Sequence, residues 1–322
     1  MTRAEAWLDD HRRDQIHLLQ ALVRVPSAHP DDDLPAAAEA FARELEGLGF
    51  AIERHCAGGA VVNLVARARF GDAGDGAPVV VLQAHGDTVP VGIGWSRPPL
   101  GGEIDGGWLY GRGAALSKSD VAVYAFAMRA LEAAGVPLVG SVELHVTWDE
   151  EAGSDRGAGW LLDQGLTRPT HAIAAGLSYG VATAHNGCLQ LEVEIEGRAA
   201  HAALPGIGID ALEAAHRLMA GLYAIRSAYP GRLSAVPGLG SPQLTINMIE
   251  GGSHPNVLPD QARLRLDRRL IPEEDLDGVA AEPDACIAQA VSRLHAVEWR
   301  SRTILRAEPM AETPANRALA ER

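Results

Sequence analysis

The sequence predicts an α/β protein with a mostly parallel sheet, followed by a smaller ferredoxin-like α+β domain. Three observations predict this fold. Up to about residue 186, apolar runs typical of strands alternate with helical periodicities, which is the order expected of a parallel sheet. The run at 79–83 is almost wholly apolar, as in a strand buried on both faces. After residue 186 the order becomes strand–helix–strand–strand–helix–strand, which is the ferredoxin-like arrangement.

The first half of the chain begins with two predicted helices. Apolar residues at helical spacing predict one helix over 4–25, ending at Pro26, and a second over 34–48, ended by Gly49. The other predicted elements of this half are strands at 61–68, 79–83, 141–148 and 171–175 and helices at 118–134 and 157–165.

The second half begins with a strand at 189–196 in which apolar and acidic side chains alternate. This alternation predicts one buried and one solvated face. We therefore expect a first domain over 1–185, a second over 186–306, and the start of a return to the first domain over 307–322. The remaining predicted elements are a helix at 210–228, strands at 243–249 and 262–270, a helix at 283–294 and a strand at 296–305.

Composition excludes several classes of function. The formal net charge of −14 over 322 residues opposes binding to nucleic acid or to anionic membranes. The three cysteines lie far apart in sequence, which excludes a disulfide scaffold and fits a reducing compartment. The N-terminus is charged, and no run of about 18 apolar residues occurs. We therefore expect a soluble cytoplasmic protein.

The first candidate site is His85-Gly86-Asp87, at the carboxyl end of a buried strand. Open α/β sheets bind ligands at that edge. Two residues apart on an extended backbone, His85 and Asp87 point to the same side, so that the aspartate can orient the imidazole. The alternative is a purely structural histidine hydrogen-bonded to the aspartate.

The second candidate site is Asp149-Glu150-Glu151, again at a strand's carboxyl end. Adjacent carboxylates repel one another, so burying them is unfavourable unless a cation or proton lies between them. One glutamate could bind a metal ion while its neighbour takes a proton from water. The alternative is a solvated turn, which the tight loop that follows makes less favourable.

The third candidate site is a glycine-rich loop, residues 110–120, that leads into a helix. It could bind an anion at the helix N-terminus. It does not have the phosphate-loop pattern, and by itself it is a weak indication.

Together with later segments, these sites resemble the successive signatures of the dinuclear zinc family that includes aminoacylase, acetylornithine deacetylase, succinyl-diaminopimelate desuccinylase and carboxypeptidase G. The resemblance covers nearly the whole chain, in order and at the right intervals. It implies a zinc-exopeptidase-like catalytic domain with an inserted dimerisation domain. The matching segments are 85–90, 108–113, 149–153, 197–205, 251–260 and 267–269.

The resemblance also implies roles at matching positions of the catalytic domain. His85 and Glu151 match metal ligands, one for each of two zinc ions, and Asp87 matches the residue that orients His85. Glu150 matches the general base that activates water to cleave an amide bond. The implied cofactor is Zn²⁺, with Co²⁺ or Mn²⁺ as alternatives.

In the dimerisation domain, His201 matches a histidine that reaches a neighbouring subunit's active site and stabilises the oxyanion. Asn256 and Arg269 match positions that contact substrate, and the fork of Arg269 suits a carboxylate. The resemblance thus implies a homodimer acting on a small N-acyl amino acid or short peptide.

The chain departs from the family pattern at three metal-ligand positions. The family usually has a bridging aspartate where this sequence has Leu116, and an acidic ligand where it has Gly176-Leu177-Ser178. A further ligand histidine would lie beyond Arg322. Asp120, Asp149 and His185 are possible substitutes, and Lys118 could place a fixed positive charge where a metal ion would otherwise bind.

Two classes of function are consistent with these departures. The first is a metal-dependent hydrolase that uses Glu150 as its general base. The second is a metal-poor relative that keeps the fold but acts as a binding or assembly protein, and a truncated gene product is a third possibility. Metal content discriminates between the first class and the others.

Overall fold

The computed structural model of the chain describes residues 2–59, 61–72, 74, 76–176, 180–292 and 297–321. The chain divides into two compact units, Met1–Leu177 and Ser178–Arg322. The predicted α/β class with a second, ferredoxin-like domain is confirmed. The finer boundaries at residues 185 and 306 remain a prediction.

The first unit contains a five-stranded mixed sheet and a separate two-stranded hairpin. Its strands are β1 (Ile52–Ala57), β2 (Val61–Phe70), β3 (Val79–His85), β4 (Glu103–Asp105), β5 (Trp108–Tyr110), β6 (Gly140–Thr147) and β7 (His171–Ala174). The main sheet has the order β1-β2-β6-β3-β7, and β4 and β5 form the hairpin. β3 is parallel to β6 and β7, whereas β2 is antiparallel to β1 and β6. The carboxyl ends of β3, β6 and β7 therefore lie at one edge of the sheet.

Helices pack against this sheet and bury an apolar core. They are α1 (Arg3–Asp10), α2 (Arg12–Arg24), α3 (Leu34–Gly47), α4 (Lys118–Ala134) and α5 (Ala158–Asp163). Phe41 of α3 is fully buried and meets the Trp148 ring edge-on, with the ring centroids 4.8 Å apart. Trp148, the residue that follows β6, is thus fixed in the core. This fixes the start of the acidic segment, residues 149–151, that comes next.

The single helix predicted over 4–25 is wrong, because the chain breaks at His11 into α1 and α2. The His11 ring stacks on Trp7 at 3.8 Å and its Nδ1 hydrogen-bonds the Trp7 carbonyl at 2.8 Å. That contact, together with the cap at His11, ends the first helix. The sequence prediction also missed β1, in which charged and apolar residues are mixed, and the β4–β5 hairpin, whose strands of three residues each are too short to show a period.

The second unit has the predicted strand–helix–strand–strand–helix–strand order. Its elements are β8 (Gly187–Glu196), α6 (Ala211–Arg226), β9 (Gln243–Gly251), β10 (Gln261–Leu270), α7 (Leu276–Val291), β11 (Glu298–Ala307) and α8 (Pro314–Ala320). The sheet has the order β11-β8-β10-β9, and its paired strands are all antiparallel. Apolar residues of α6 and α7 and of the strands β8, β9 and β10 form the buried core of this unit. On β8, hydrogen bonds from Arg302 and Arg265 lower the pKa of Glu192 to about 2.

Helix α7 begins earlier than predicted, at Leu276 rather than near 283. The Asp275 side chain accepts a hydrogen bond from the Gly278 amide at 2.7 Å and caps the helix start. Pro283 lies inside the helix. The predicted helix end at 294 and strand start at 296 lie outside the described residues. Among the described helices, none is long and apolar enough to cross a bilayer.

Candidate metal centre

His85 is the last residue of β3 and its imidazole is buried. Nδ1 lies 3.0 Å from the Asp87 carbonyl oxygen and 3.4 Å from Asp87 Oδ1. Because a carbonyl oxygen only accepts hydrogen bonds, Nδ1 carries a proton, and in the neutral ring Nε2 keeps its lone pair. Nε2 lies 3.9 Å from Glu150 Oε2. The nitrogen that can bind a metal ion therefore faces the acidic segment after β6.

Asp87 connects the two strand ends. It is fully buried, and its Oδ2 accepts a hydrogen bond from the Glu151 amide at 3.0 Å. Its Oδ1 has no hydrogen-bond partner among the described residues, and its nearest ionic neighbour is His85. This geometry suits a carboxylate that orients an imidazole from behind.

Gly86 allows the ends of β3 and β6 to lie close together. Its amide donates to the Thr147 carbonyl at 2.8 Å. A Cβ on residue 86 would lie 2.5 Å from the Trp148 ring, closer than carbon atoms can approach without a shift. Only glycine leaves room for the buried indole, and the indole in turn fixes where the acidic segment begins.

The acidic segment folds into a short turn around Asp149. The buried Asp149 carboxylate accepts a hydrogen bond from the Arg156 amide, and its carbonyl accepts one from the Ser154 amide at 2.8 Å. Burial raises the pKa of Asp149. Asp149 thus stabilises the loop, while Glu150 and Glu151 are left exposed on the turn that follows.

The structure brings His85, Glu150 and Glu151 together. Each offers one ligand atom, and these atoms lie within 4.8 Å of one another. Burial, followed by the neighbouring charge of Glu150, raises the pKa of Glu151. A cation between these groups would relieve that repulsion. One imidazole nitrogen and two carboxylates form a ligand set that suits Zn²⁺, and also Co²⁺ or Mn²⁺, so the residues present fit a divalent ion.

The possible substitutes for the missing ligands lie outside this group. In the part of the chain that the structure describes, His85, Glu150 and Glu151 form the one such cluster of histidine, cysteine and acidic residues. Asp120 is half-buried, and burial raises its pKa. His185 belongs to the second unit, where its backbone pairs with Met310. Gly176 has no side chain, and Leu177 and Ser178 lie outside the described residues.

One residue near the site, Ser117, was not recognised from the sequence. Ser117 is fully buried, and its hydroxyl accepts a hydrogen bond from the His85 amide at 3.1 Å. Its place before helix α4 was the available signal, since serine is common at helix starts. Burial lowers the pKa of the adjacent Lys118 to about 8.

The glycine-rich loop uses its cationic side chains within the fold. Lys118 Nζ donates to the Val25 carbonyl at 2.8 Å and lies 5.7 Å from the Phe41 ring centroid. Arg112 donates to the Pro90 and Val91 carbonyls, both at 3.1 Å. These contacts favour a structural role for both residues over an anion site or a substitute for a metal ion.

Within the second unit, His201 and Asn256 lie side by side. The Ala202 amide donates to the Asn256 carbonyl at 2.9 Å, and His201 forms a β-bridge with Val257. Both predicted site residues are exposed. Their backbone segments are therefore adjacent, and the roles assigned to the two side chains stay predictions.

Arg269 lies near the carboxyl end of β10, where it is paired with Cys188 of β8. The other end of β10 is paired with Glu196. The Nε and Nη2 atoms of Arg269 pair with Asp267 at 2.7 and 3.1 Å. The fork predicted to hold a substrate carboxylate is therefore already engaged by an internal carboxylate. The sequence did not reveal this pairing, although Asp267 is only two residues away.

Comparisons with known proteins place the chain in a family. Residues 183–294 match the family described as a peptidase dimerisation domain. The succinyl-diaminopimelate desuccinylase of Acidiphilium cryptum is 31% identical over 273 residues, covering 80% of this chain and 68% of that protein.

Two solved structures share the fold. The M20 family metallo-carboxypeptidase Sso-CP2 of Sulfolobus solfataricus has a TM-score of 0.75 at 16% identity, covering 90% of this chain and 78% of its own. The YXEP protein of Bacillus subtilis, a dinuclear metal-binding peptidase, has a TM-score of 0.60 at 17% identity, covering 94% and 76%. With these relatives and a site that fits a divalent ion, the chain belongs to the M20 metallopeptidase family and is a metal-dependent hydrolase that cleaves amide bonds with metal-activated water.

Proposed function

We propose that the chain removes the acyl group from a small N-acyl amino acid at the site formed by His85, Glu150 and Glu151. The observation that carries this proposal is the convergence of these three side chains at the carboxyl edge of the sheet. Zn²⁺ is the proposed ion, because imidazole nitrogen and carboxylate oxygen are its usual protein ligands besides thiolate.

Each residue has a separate role in this proposal. His85 Nε2 and the Glu151 carboxylate hold the ion, and Asp87 keeps the imidazole in the correct tautomer through Nδ1. When bound, the ion polarises the amide carbonyl and lowers the pKa of water. Glu150 takes the proton from water and returns it to the leaving amine. The Glu150 side chain is exposed, so this side of the site is open to substrate.

The second unit supplies the remaining groups. A peptidase dimerisation domain matches residues 183–294, which supports a homodimer. We propose that His201 of the partner subunit donates a hydrogen bond to the developing oxyanion, with Asn256 of the partner subunit beside it. Arg269 binds a substrate carboxylate only by sharing its guanidinium with Asp267, since two of its donors already contact that side chain.

The relatives support a substrate class for the chain. Proteins about 30% identical to this chain are succinyl-diaminopimelate desuccinylases, which supports an N-succinyl amino acid as the substrate. N-acetyl amino acids and short peptides are the other members of the proposed class.

The three cysteines are free. Unpaired thiols are typical of proteins in a reducing compartment. They support the cytoplasm as the place where the chain acts.

An amine-release assay tests the proposed function. The chain, stripped of metal and then supplied with Zn²⁺, Co²⁺ or Mn²⁺, is incubated with N-succinyl-diaminopimelate, N-acetyl amino acids and dipeptides. We expect release of free amine from at least one substrate, and only in the presence of metal. Glu150→Gln prepared in parallel measures any contaminating hydrolase. Failure of the metal-loaded chain on all these substrates would contradict the proposal.

A further inference from the structure

We infer that the chain binds one catalytic metal ion rather than two, in the space between His85, Glu150 and Glu151. The inference rests on the proposed function and specifies its metal site. Binding of a single ion would distinguish this chain from the dinuclear metal-binding peptidase of Bacillus subtilis that shares its fold.

The ligand atoms of His85 and Glu151 can bind one ion, with the Glu150 carboxylate facing it. A tetrahedral zinc ion with ligand distances of about 2.0–2.1 Å separates neighbouring ligand atoms by roughly 3.4 Å. His85 Nε2 and Glu150 Oε2 are 3.9 Å apart, and the three ligand atoms lie within 4.8 Å. Small rotations of the two exposed glutamates bring all three atoms to face a single ion.

A second ion has no comparable ligand set. Two-metal sites place their ions about 3.5–4 Å apart, and a catalytic zinc ion normally has three protein ligands. In the described residues, no second cluster of histidine, cysteine and acidic side chains accompanies the first. With Glu150 acting as the base, dividing His85 and Glu151 between two ions would leave each ion with a single protein ligand.

The positions that could supply more ligands lie at the site but lack donor atoms. Ser117 accepts a hydrogen bond from the His85 amide, which brings the adjacent residue, Leu116, to the carboxyl end of β3. A leucine side chain has no donor atom. Gly176 lies two residues beyond β7, and the Ala175 amide still donates to the Gln83 carbonyl at 2.9 Å. Position 176 is thus at the same sheet edge, and a Cβ there would meet nothing within 4 Å.

The open space at Gly176 makes the inference testable by adding ligands. Leu116→Asp combined with Gly176→Glu places two carboxylates at the same edge as His85. We expect this double variant to bind close to two equivalents of zinc. Leu116→Asn combined with Gly176→Gln is the matched control, because it changes shape in the same way without adding negative charge.

The experiment counts zinc bound per chain by elemental analysis after dialysis against buffered free zinc. His85→Ala gives the background from surface histidines, and circular dichroism confirms that each variant is folded. We expect one equivalent for the unaltered chain and for the amide control. Two equivalents on the unaltered chain would overturn the inference and leave the proposed function intact. Less than about a tenth of an equivalent would overturn both, and a folded acidic double variant that stays at one would overturn the assignment of positions 116 and 176.

Discussion

Glu150→Gln is expected to lower kcat by about 10²- to 10⁴-fold, the usual contribution of a general base, while the zinc content of the protein is unchanged. The amide keeps the size of the side chain but cannot accept a proton. His85 and Glu151 remain in place to hold the ion, because neither depends on Glu150 for a hydrogen bond in the described structure. Steady-state kinetics and metal analysis on the same preparation check the prediction.

Glu151→Gln is the matched control for this experiment. It lies next to Glu150 on the same turn, so it changes local charge to the same extent. We expect it to lose zinc at a free-metal concentration that saturates the unaltered chain. If Glu150→Gln loses its zinc as well, Glu150 is a ligand and the assigned base is wrong. If amidase activity survives Glu150→Gln, the mechanism itself is wrong.

His201→Ala is expected to lower kcat by about 10²- to 10³-fold, the usual effect of removing one oxyanion donor. The side chain is exposed, and the Ala203 amide donates to its Nδ1 at 3.1 Å. Nδ1 therefore accepts, and Nε2 carries the proton that can be donated to an oxyanion. Because the residue is not in the core, we expect the fold and the dimer to be unaffected, as measured by sedimentation.

A mixed dimer tests whether His201 acts across the subunit interface. Co-expressed Glu150→Gln and His201→Ala chains with different tags give a heterodimer in which action across the interface would leave one site damaged twice and the other intact. If His201 of the partner subunit serves each site, this heterodimer recovers about half of the unaltered activity per dimer. If each chain uses its own His201, both sites are damaged and no recovery occurs. A chain that is strictly monomeric in sedimentation also contradicts the assignment.

Much of the fold could be predicted because the spacing of apolar residues along the sequence indicates which face of a helix or strand is buried. The apolar run of β3 and the apolar–acidic alternation of β8 were both recognised, and the order of the second unit followed. The helix break at His11 could not be predicted, since it depends on a ring stacked on Trp7 rather than on proline or glycine. The early start of α7 was missed, and the helix contains Pro283 in its interior, which costs helix stability.

The part of the candidate site that lies at the ends of strands could be predicted from the sequence. His85, Asp87, Glu150 and Glu151 follow buried strands in sequence, and the structure brings them together. Asp149 and Arg269 were less predictable, because their roles depend on partners that a pattern does not show. Asp149 holds its own loop through the Arg156 amide, and Arg269 is paired with Asp267. The Ser117 hydroxyl that contacts the His85 amide comes from a segment 32 residues away in sequence.

The proposed function requires that His85 and Glu151 hold a catalytic ion with Glu150 facing it. A crystal of the chain grown with zinc, measured at energies above and below the zinc absorption edge, locates the ion by its anomalous signal. We expect one strong peak per chain, about 2.0–2.2 Å from both His85 Nε2 and a Glu151 carboxylate oxygen, the distances typical of zinc in proteins. A peak held by other residues, or none at this edge of the sheet in a zinc-saturated crystal, would contradict the account.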